Sequence, residues 1–187
     1  MKYSLSQNNG GCFHEDCPIW INPRQKIKAH YLLPNMTVHD SNGNETYIEI
    51  VIKKKCVDNT ICMSIYEDIG LTPYHPLCIL NENDEEIWDF PINLVGAENI
   101  NCNYIYNFVL ANGGSLLCGN NRIKVCTLGH NLEGPIIGHN FYGSRENGIV
   151  GQLKLLFPNY DKQIDLTDYV DIRDYKNGNR VIGIKKI

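Results

Sequence analysis

The chain has 187 residues, 43% hydrophobic and 20% charged, enough to bury one core of ordinary size. A formal charge of -4 at pH 7 excludes a nucleic-acid or anionic-membrane surface as its main business, and the one basic run, Lys53–Lys54–Lys55, is too short to alter that. No stretch is apolar for long enough to span a bilayer.

Residues 1–9 are polar and read as the end of whatever precedes a domain covering residues 10–187. They lack the apolar segment of a secretory signal, so the expected setting is intracellular, in the cytoplasm, and the expected state is a monomer. Eight cysteines (12, 17, 56, 62, 78, 102, 118 and 126) then read as thiols rather than as a disulfide framework. His14 lies between Cys12 and Cys17, but no C-x-x-C pair exists, so no metal and no cofactor is expected.

Next comes Gly10-Gly11-Cys12-Phe13. A cysteine directly after two glycines can attack the peptide bond that carries it, because the thiolate is the strongest side-chain nucleophile near neutral pH. Glycine on the acyl side reaches backbone geometries that other residues avoid. Gly11–Cys12 is therefore the candidate scissile bond, although the same tetrapeptide also suits an ordinary loop.

Pro18 to Ile27 reads as strand, Pro-containing turn and return strand; Met36 to Ile52 reads as two β-rich runs joined at Asn42-Gly43. Lys53–Lys55 suit a solvated strand edge. Residues 56–69 continue in short strands that turn at Asp58-Asn59, and they lead into Gly70-Leu71-Thr72-Pro73-Tyr74-His75-Pro76. Two prolines exclude helix interior there and fix where Thr72 and His75 point. A hydroxyl and an imidazole three residues apart in such a turn can both reach one peptide bond, Thr72 to hydrogen-bond it and His75 to relay a proton to its nitrogen. The bland alternative is a turn with a surface histidine.

Leu77–Leu80 is a strand, Asn81–Glu86 an exposed acidic loop, and residues 87–95 place Trp88 and Phe90 as core packing at a loop. Tyr104–Leu110 and Ser115–Leu117 read as a hairpin around Asn112-Gly113-Gly114, and Ile123–Leu128 as a further strand. Up to about residue 130 turn signals recur roughly every eight to twelve residues with little helical periodicity, which predicts a mostly β chain. Gly148 to Phe157 predicts one short amphipathic helix stopped by Pro158, and a last strand pair turns at Asn177-Gly178.

GGCF followed by TPYHP resembles the first two signature blocks of the Hint superfamily, the self-processing domains of inteins and hedgehog proteins. Tyr104 to Gly113, then Val125-Cys126-Thr127-Leu128-Gly129-His130 and the tail Asp171 to Gly183, resemble the Vint branch, first noticed beside von Willebrand A domains. The resemblance runs from about Gly10 to the C-terminus. It implies a Hint fold of short strands in a pseudo-twofold, horseshoe-like arrangement with one short C-terminal helix.

It also implies an N-to-S acyl shift. Cys12 attacks the Gly11 carbonyl, Thr72 polarises the amide, His75 protonates its nitrogen, and water, a thiol or an amine then releases Met1–Gly11 from the thioester. The substrate is thus the chain's own N-terminal flank, in a single turnover. His130 falls where inteins place an active-site histidine, and Asn131 follows it as inteins' cyclising asparagine does. Leu132 offers no nucleophile for splicing, so Asn131 reads rather as structural, with His139-Asn140 a weaker copy of the pair. Two positions depart from relatives: Gly114 stands where they carry a histidine, and Ile52–Cys56 lacks the aspartate with which hedgehog proteins activate a sterol. Cys17 and Cys126 are open between second acyl acceptor, disulfide partner of Cys12 and buried filler. A catalytically silent β-domain used for binding or linking is the competing reading.

Overall fold

The pattern of Glu45–Lys55 shows why strands form here. Thr46, Ile48 and Ile50 are buried while Glu45 and Tyr47 are exposed; Val51 and Ile52 are then buried in succession. Such a strand begins with one face on the core and ends with both faces covered. The computed structural model describes residues 11–159 and 163–187, so the expected upstream segment and Gly10 lie outside the described residues.

In chain order the strands are β1 (Phe13–His14), β2 (Pro18–Asn22), β3 (Gln25–Lys28), β4 (Thr37–His39), β5 (Glu45–Lys55), β6 (Thr60–Tyr66), β7 (Ile69–Leu71), β8 (Leu77–Leu80) and β9 (Glu86–Asp89). The short helix α1 (Pro91–Val95) precedes β10 (Glu98–Asn101), β11 (Tyr104–Leu110), β12 (Ser115–Cys118) and β13 (Ile123–Cys126). Helix α2 (Ile149–Leu156), β14 (Ile164–Asp165), β15 (Tyr169–Asp174) and β16 (Arg180–Lys186) complete the chain. One sheet runs β10-β6-β7-β1-β11-β5-β14 with β4 also on β5, a second runs β3-β2-β12-β13-β8-β9, and β15-β16 form a ribbon. The mostly β prediction, the Asn42-Gly43 turn, the helix ahead of Pro158 and the final strand pair all match.

The main core fills the space between the two larger sheets, with Phe13, Ile19, Leu77, Phe108 and Leu116 fully buried. Ile149, Val150 and Leu153 of α2 share a second cluster with Ile50, Ile52, Val109 and Ile184, which docks the C-terminal part on β5 and β11.

Three expectations are corrected. Tyr104–Leu110 and Ser115–Leu117 are not a hairpin: β11 pairs with β1 and β5, whereas β12 pairs with β2 and β13, so the Gly-Gly turn crosses between sheets. Gly113 and Gly114 supply positive φ of 71° and 92° for that crossing. Lys53–Lys55 do not form a sheet edge, because β5 is flanked by β11 and, at Ile52 and Lys53, by β14. Residues 87–95 are not a loop but the end of β9 followed by α1, and Trp88 and Phe90 are half-buried.

β1 positions the rest. Phe13 pairs with Leu71 on one side and Tyr106 on the other. In antiparallel register the residue before Phe13 faces the residues after those partners, so Cys12 is set against Thr72 and Asn107.

Candidate active site at Gly11–Cys12

Backbone pairing continues one residue past β1: the Thr72 amide donates to the Cys12 carbonyl at 2.9 Å. That contact fixes the hydroxyl next to the candidate bond, and the Cys12 amide donates to Thr72 Oγ1 at 2.7 Å. His75 follows within the same turn, its amide donating to the Thr72 carbonyl at 3.0 Å. Its ring is fully buried, edge-on to Phe13 with centroids 4.6 Å apart.

His75 Nε2 lies 2.7 Å from the Cys126 carbonyl, an acceptor only, so the ring proton is on Nε2. Nδ1 therefore holds a lone pair. It is buried, has no hydrogen-bond partner among the described residues, and belongs to a ring lying against the Cys12 backbone. Burial holds this imidazole below its ordinary protonation range. A buried acceptor without a partner is costly, and such groups concentrate where a proton is to be handled.

The carbonyl of the candidate bond has a partner that sequence reasoning did not assign. Asn107 Nδ2 donates to the Gly11 oxygen at 2.5 Å, from a side chain only 2% exposed whose Oδ1 accepts the Phe108 amide at 2.7 Å. Its signal was present in the sequence. Asparagine is depleted in strands, and one in the middle of the apolar run Tyr104–Leu110 must find a partner once buried.

Gly11 has φ +77° and packs on His75; a Cβ there would lie 2.6 Å from His75 Cγ. The glycine is thus required twice, by conformation and by space. Cys12 is 7% exposed, and burial pushes its thiol up to about 12, with the Lys54 charge opposing the shift. Lys54, Asn107, Tyr142 and Asp171 share a small cavity with Cys12. Tyr142 donates to Asp171 at 2.7 Å, and Lys54 Nζ donates to the Tyr169 carbonyl at 2.9 Å.

On the acyl side Gly11 borders a larger cavity of about 270 Å³ that is also lined by Tyr74, Phe90, Cys126, His130 and His139. His130 is buried, and desolvation with neighbouring His75 lowers its pKa to about 4. Gly11, Cys12, Thr72, His75 and His130 are thus brought together. Asn131 is not: it is exposed at φ +58° and lines a separate groove with Glu133 and Gly138. Cys126 enters through its carbonyl on His75 as well as on the cavity wall.

All eight cysteines are thiols, with no disulfide. Cys17 sits in the main core next to Cys118, as buried filler would. The metal-ligand grouping with His14 proves to be Glu15 and Cys102 rather than Cys12 and Cys17, their ligand atoms within 4.8 Å of one another. The Asp16 amide donates to His14 Nδ1 at 3.0 Å and Nε2 faces the Asn101 carbonyl at 3.0 Å, which leaves that ring no lone pair for a cation.

No helix of the described residues is long and apolar enough to cross a membrane. Among solved structures the chain is similar to the MchDnaB-1 intein (8% identity, TM-score 0.44, 62% of this chain and 98% of that one) and to the gp41-1 intein (12%, 0.42, 63% and 99%). It is likewise similar to a DnaB intein from Synechocystis sp. PCC 6803 (13%, 0.40, 63% and 98%). No curated protein matches. The model of the Vint family, described as a Hint-domain, matches residues 11–183, almost the whole of the described fold and every group around Gly11–Cys12, and on that match the chain belongs to the Vint family of Hint domains.

Proposed function

We propose that the chain converts the Gly11–Cys12 peptide bond into a thioester by an N-to-S acyl shift and then surrenders its upstream segment to an external nucleophile. The observation that carries this is the double hold on one buried peptide bond, its oxygen on Asn107 and its N–H on Thr72, beside an imidazole nitrogen with an unused lone pair. In this reading His75 Nδ1 takes the Cys12 thiol proton as sulfur adds to the Gly11 carbonyl. Asn107 Nδ2 stabilises the oxyanion that forms there. His75 then returns the proton to the Cys12 nitrogen, whose direction Thr72 has fixed, and the C–N bond breaks. Cys12 is left as a new N-terminus once the thioester is cleaved. Residues 1–9 with Gly10 and Gly11 are the released segment, and the domain begins in function at Cys12.

Intact-mass spectrometry of the full chain, with and without hydroxylamine, is expected to show loss of Met1–Gly11 in the wild type and none in Cys12→Ala. Absence of product from the wild type under any nucleophile would sink the proposal. Burial of Cys12 and its raised thiol favour a second reading, a silent module. In that case Cys12 reacts with iodoacetamide no faster than the other seven thiols.

The pH profile tests the role given to His75. The thiol is raised to about 12 and His75 is lowered, so from neutral to alkaline pH the pair holds a single ionisable proton, which merely moves from sulfur to nitrogen. Cleavage by hydroxylamine at saturating concentration is therefore expected to change by less than about two-fold between pH 7 and 9, and to fall only below the depressed value of His75. A rise of about ten-fold per pH unit would mean that hydroxide, not His75, takes the thiol proton.

A further inference from the structure

We propose that the cavity beside Gly11 seats the acyl acceptor and selects a small thiol that carries a carboxylate; this rests on the acyl shift proposed above. At about 270 Å³ it lies at the small end of ligand pockets, with room for a metabolite-sized molecule rather than a folded partner. Among the described residues its basic side chains are His130, His139, Arg173 and Arg180, beside Tyr74, Tyr142 and Cys126, with no carboxylate. That is a local reversal of sign in a chain with 21 acidic and 17 basic residues.

The hydrogen bonds of the two histidines decide what they offer. The Leu132 amide donates to His130 Nδ1 at 2.8 Å, and the Tyr142 and Phe141 amides donate to His139 Nδ1 at 3.0 and 3.2 Å. Both rings therefore carry their proton on Nε2 and present it as a donor. Arg173 is committed to the Asn179 carbonyl and to Asp171, each at 3.2 Å. Arg180 is exposed on β16, and its guanidinium has no ion-pair partner among the described residues. Both guanidiniums are near enough to His139 to help hold it neutral.

A wall of N–H donors and guanidinium charge recognises a carboxylate. Its histidines and guanidiniums hold no available lone pair with which to deprotonate an ammonium group or a water molecule, and the unpartnered Asn179 Oδ1 on the same wall is an amide oxygen and not a base. A thiol, ionising near about 8.5 against about 10.4 for an alkyl ammonium, can supply its own nucleophile there, and the surrounding positive charge favours the thiolate. Tyr74, Phe90 and Ile137 give apolar surface for a short methylene stem. The chain's own upstream residues fit poorly, because Met1–Gly11 contains Lys2 and no acidic residue.

In the step itself the acceptor thiolate forms a C–S bond to the Gly11 carbonyl carbon and the bond to Cys12 Sγ breaks. Cys12 leaves as thiolate and takes up the proton that the acceptor lost. The products are the upstream segment as a thioester of the acceptor and a chain that begins with the Cys12 amine.

The test compares mercaptoacetate with 2-mercaptoethanol on the full chain, at equal thiolate concentration, with release followed by intact mass. Release is expected to saturate with mercaptoacetate and to rise linearly, at lower rates, with 2-mercaptoethanol. Arg180→Glu should raise the half-saturating mercaptoacetate concentration by roughly five-fold or more. Equal linear dependence on both thiols in the wild type overturns the acceptor site while leaving the acyl shift standing. No release with either thiol or with hydroxylamine overturns the shift, and the acceptor site with it.

Discussion

Replacing Asn107 by alanine is expected to slow release of the upstream segment by about 10²–10³-fold, the loss found when one oxyanion donor is removed from an acyl-transfer site. The size of the effect follows from burial. Asn107 is 2% exposed, so bulk water does not compete with its Nδ2 at the Gly11 oxygen, and the 2.5 Å contact sits in a medium that strengthens it. The substitution also removes the acceptor of the Phe108 amide, at a cost of about 1–3 kcal/mol in stability. Thermal unfolding is therefore measured beside the cleavage rate. A variant that stays folded at the assay temperature and cleaves within about three-fold of the wild type would show that Asn107 only orients the backbone.

Gly11→Ala is the second large effect. The added methyl would meet His75 at 2.6 Å from Cγ and 2.8 Å from Cα, where the nearest atoms are ring and backbone and no flexible tip can swing aside. φ at Gly11 is +77°, a region that alanine occupies only at a cost of roughly 1–2 kcal/mol. The clash is relieved if residue 11 and His75 separate, and the φ penalty if the backbone at residue 11 rotates; both motions shift the candidate bond relative to the imidazole. Cleavage in Gly11→Ala is expected to drop by at least about 10²-fold, since a displacement on the order of 1 Å at a reacting centre costs that much. The fold should survive, because Gly11 precedes β1 and takes no part in the sheet register. Retention of wild-type cleavage would mean that His75 does not act from the position it occupies.

Much of this candidate site is legible in the sequence. Cys12 after glycine and the Thr72–His75 unit between prolines carry their chemistry in local sequence, and His130 was singled out by resemblance. Asn107 is not legible there, because an asparagine in a strand has many possible partners, and only pairing across β1 shows which carbonyl it meets. His139 and Phe90 reach the cavity at Gly11 from distant parts of the chain, a placement that spacing along the sequence does not encode. The misread hairpin has the same origin. Two strands joined by a Gly-Gly turn pair with each other or diverge into separate sheets according to what lies beside them, and here β1 and β5 claim β11 while β2 and β13 claim β12.

The order of residues alone determined that this would be a mostly β chain, where its turns and its single longer helix fall, and which sulfur stands next to which carbonyl, because each depends on side-chain period, on backbone freedom at Gly or Pro, or on covalent adjacency. Tertiary structure decided which groups surround that bond. Phe13 pairs with Leu71 and Tyr106 at once, and this double register sets Thr72 and Asn107 on the two ends of one peptide unit. The Cys126 carbonyl then selects the tautomer of His75. A hydrogen bond to a distant strand depends on angles and separations of tenths of an ångström, and those are settled only when the whole core packs.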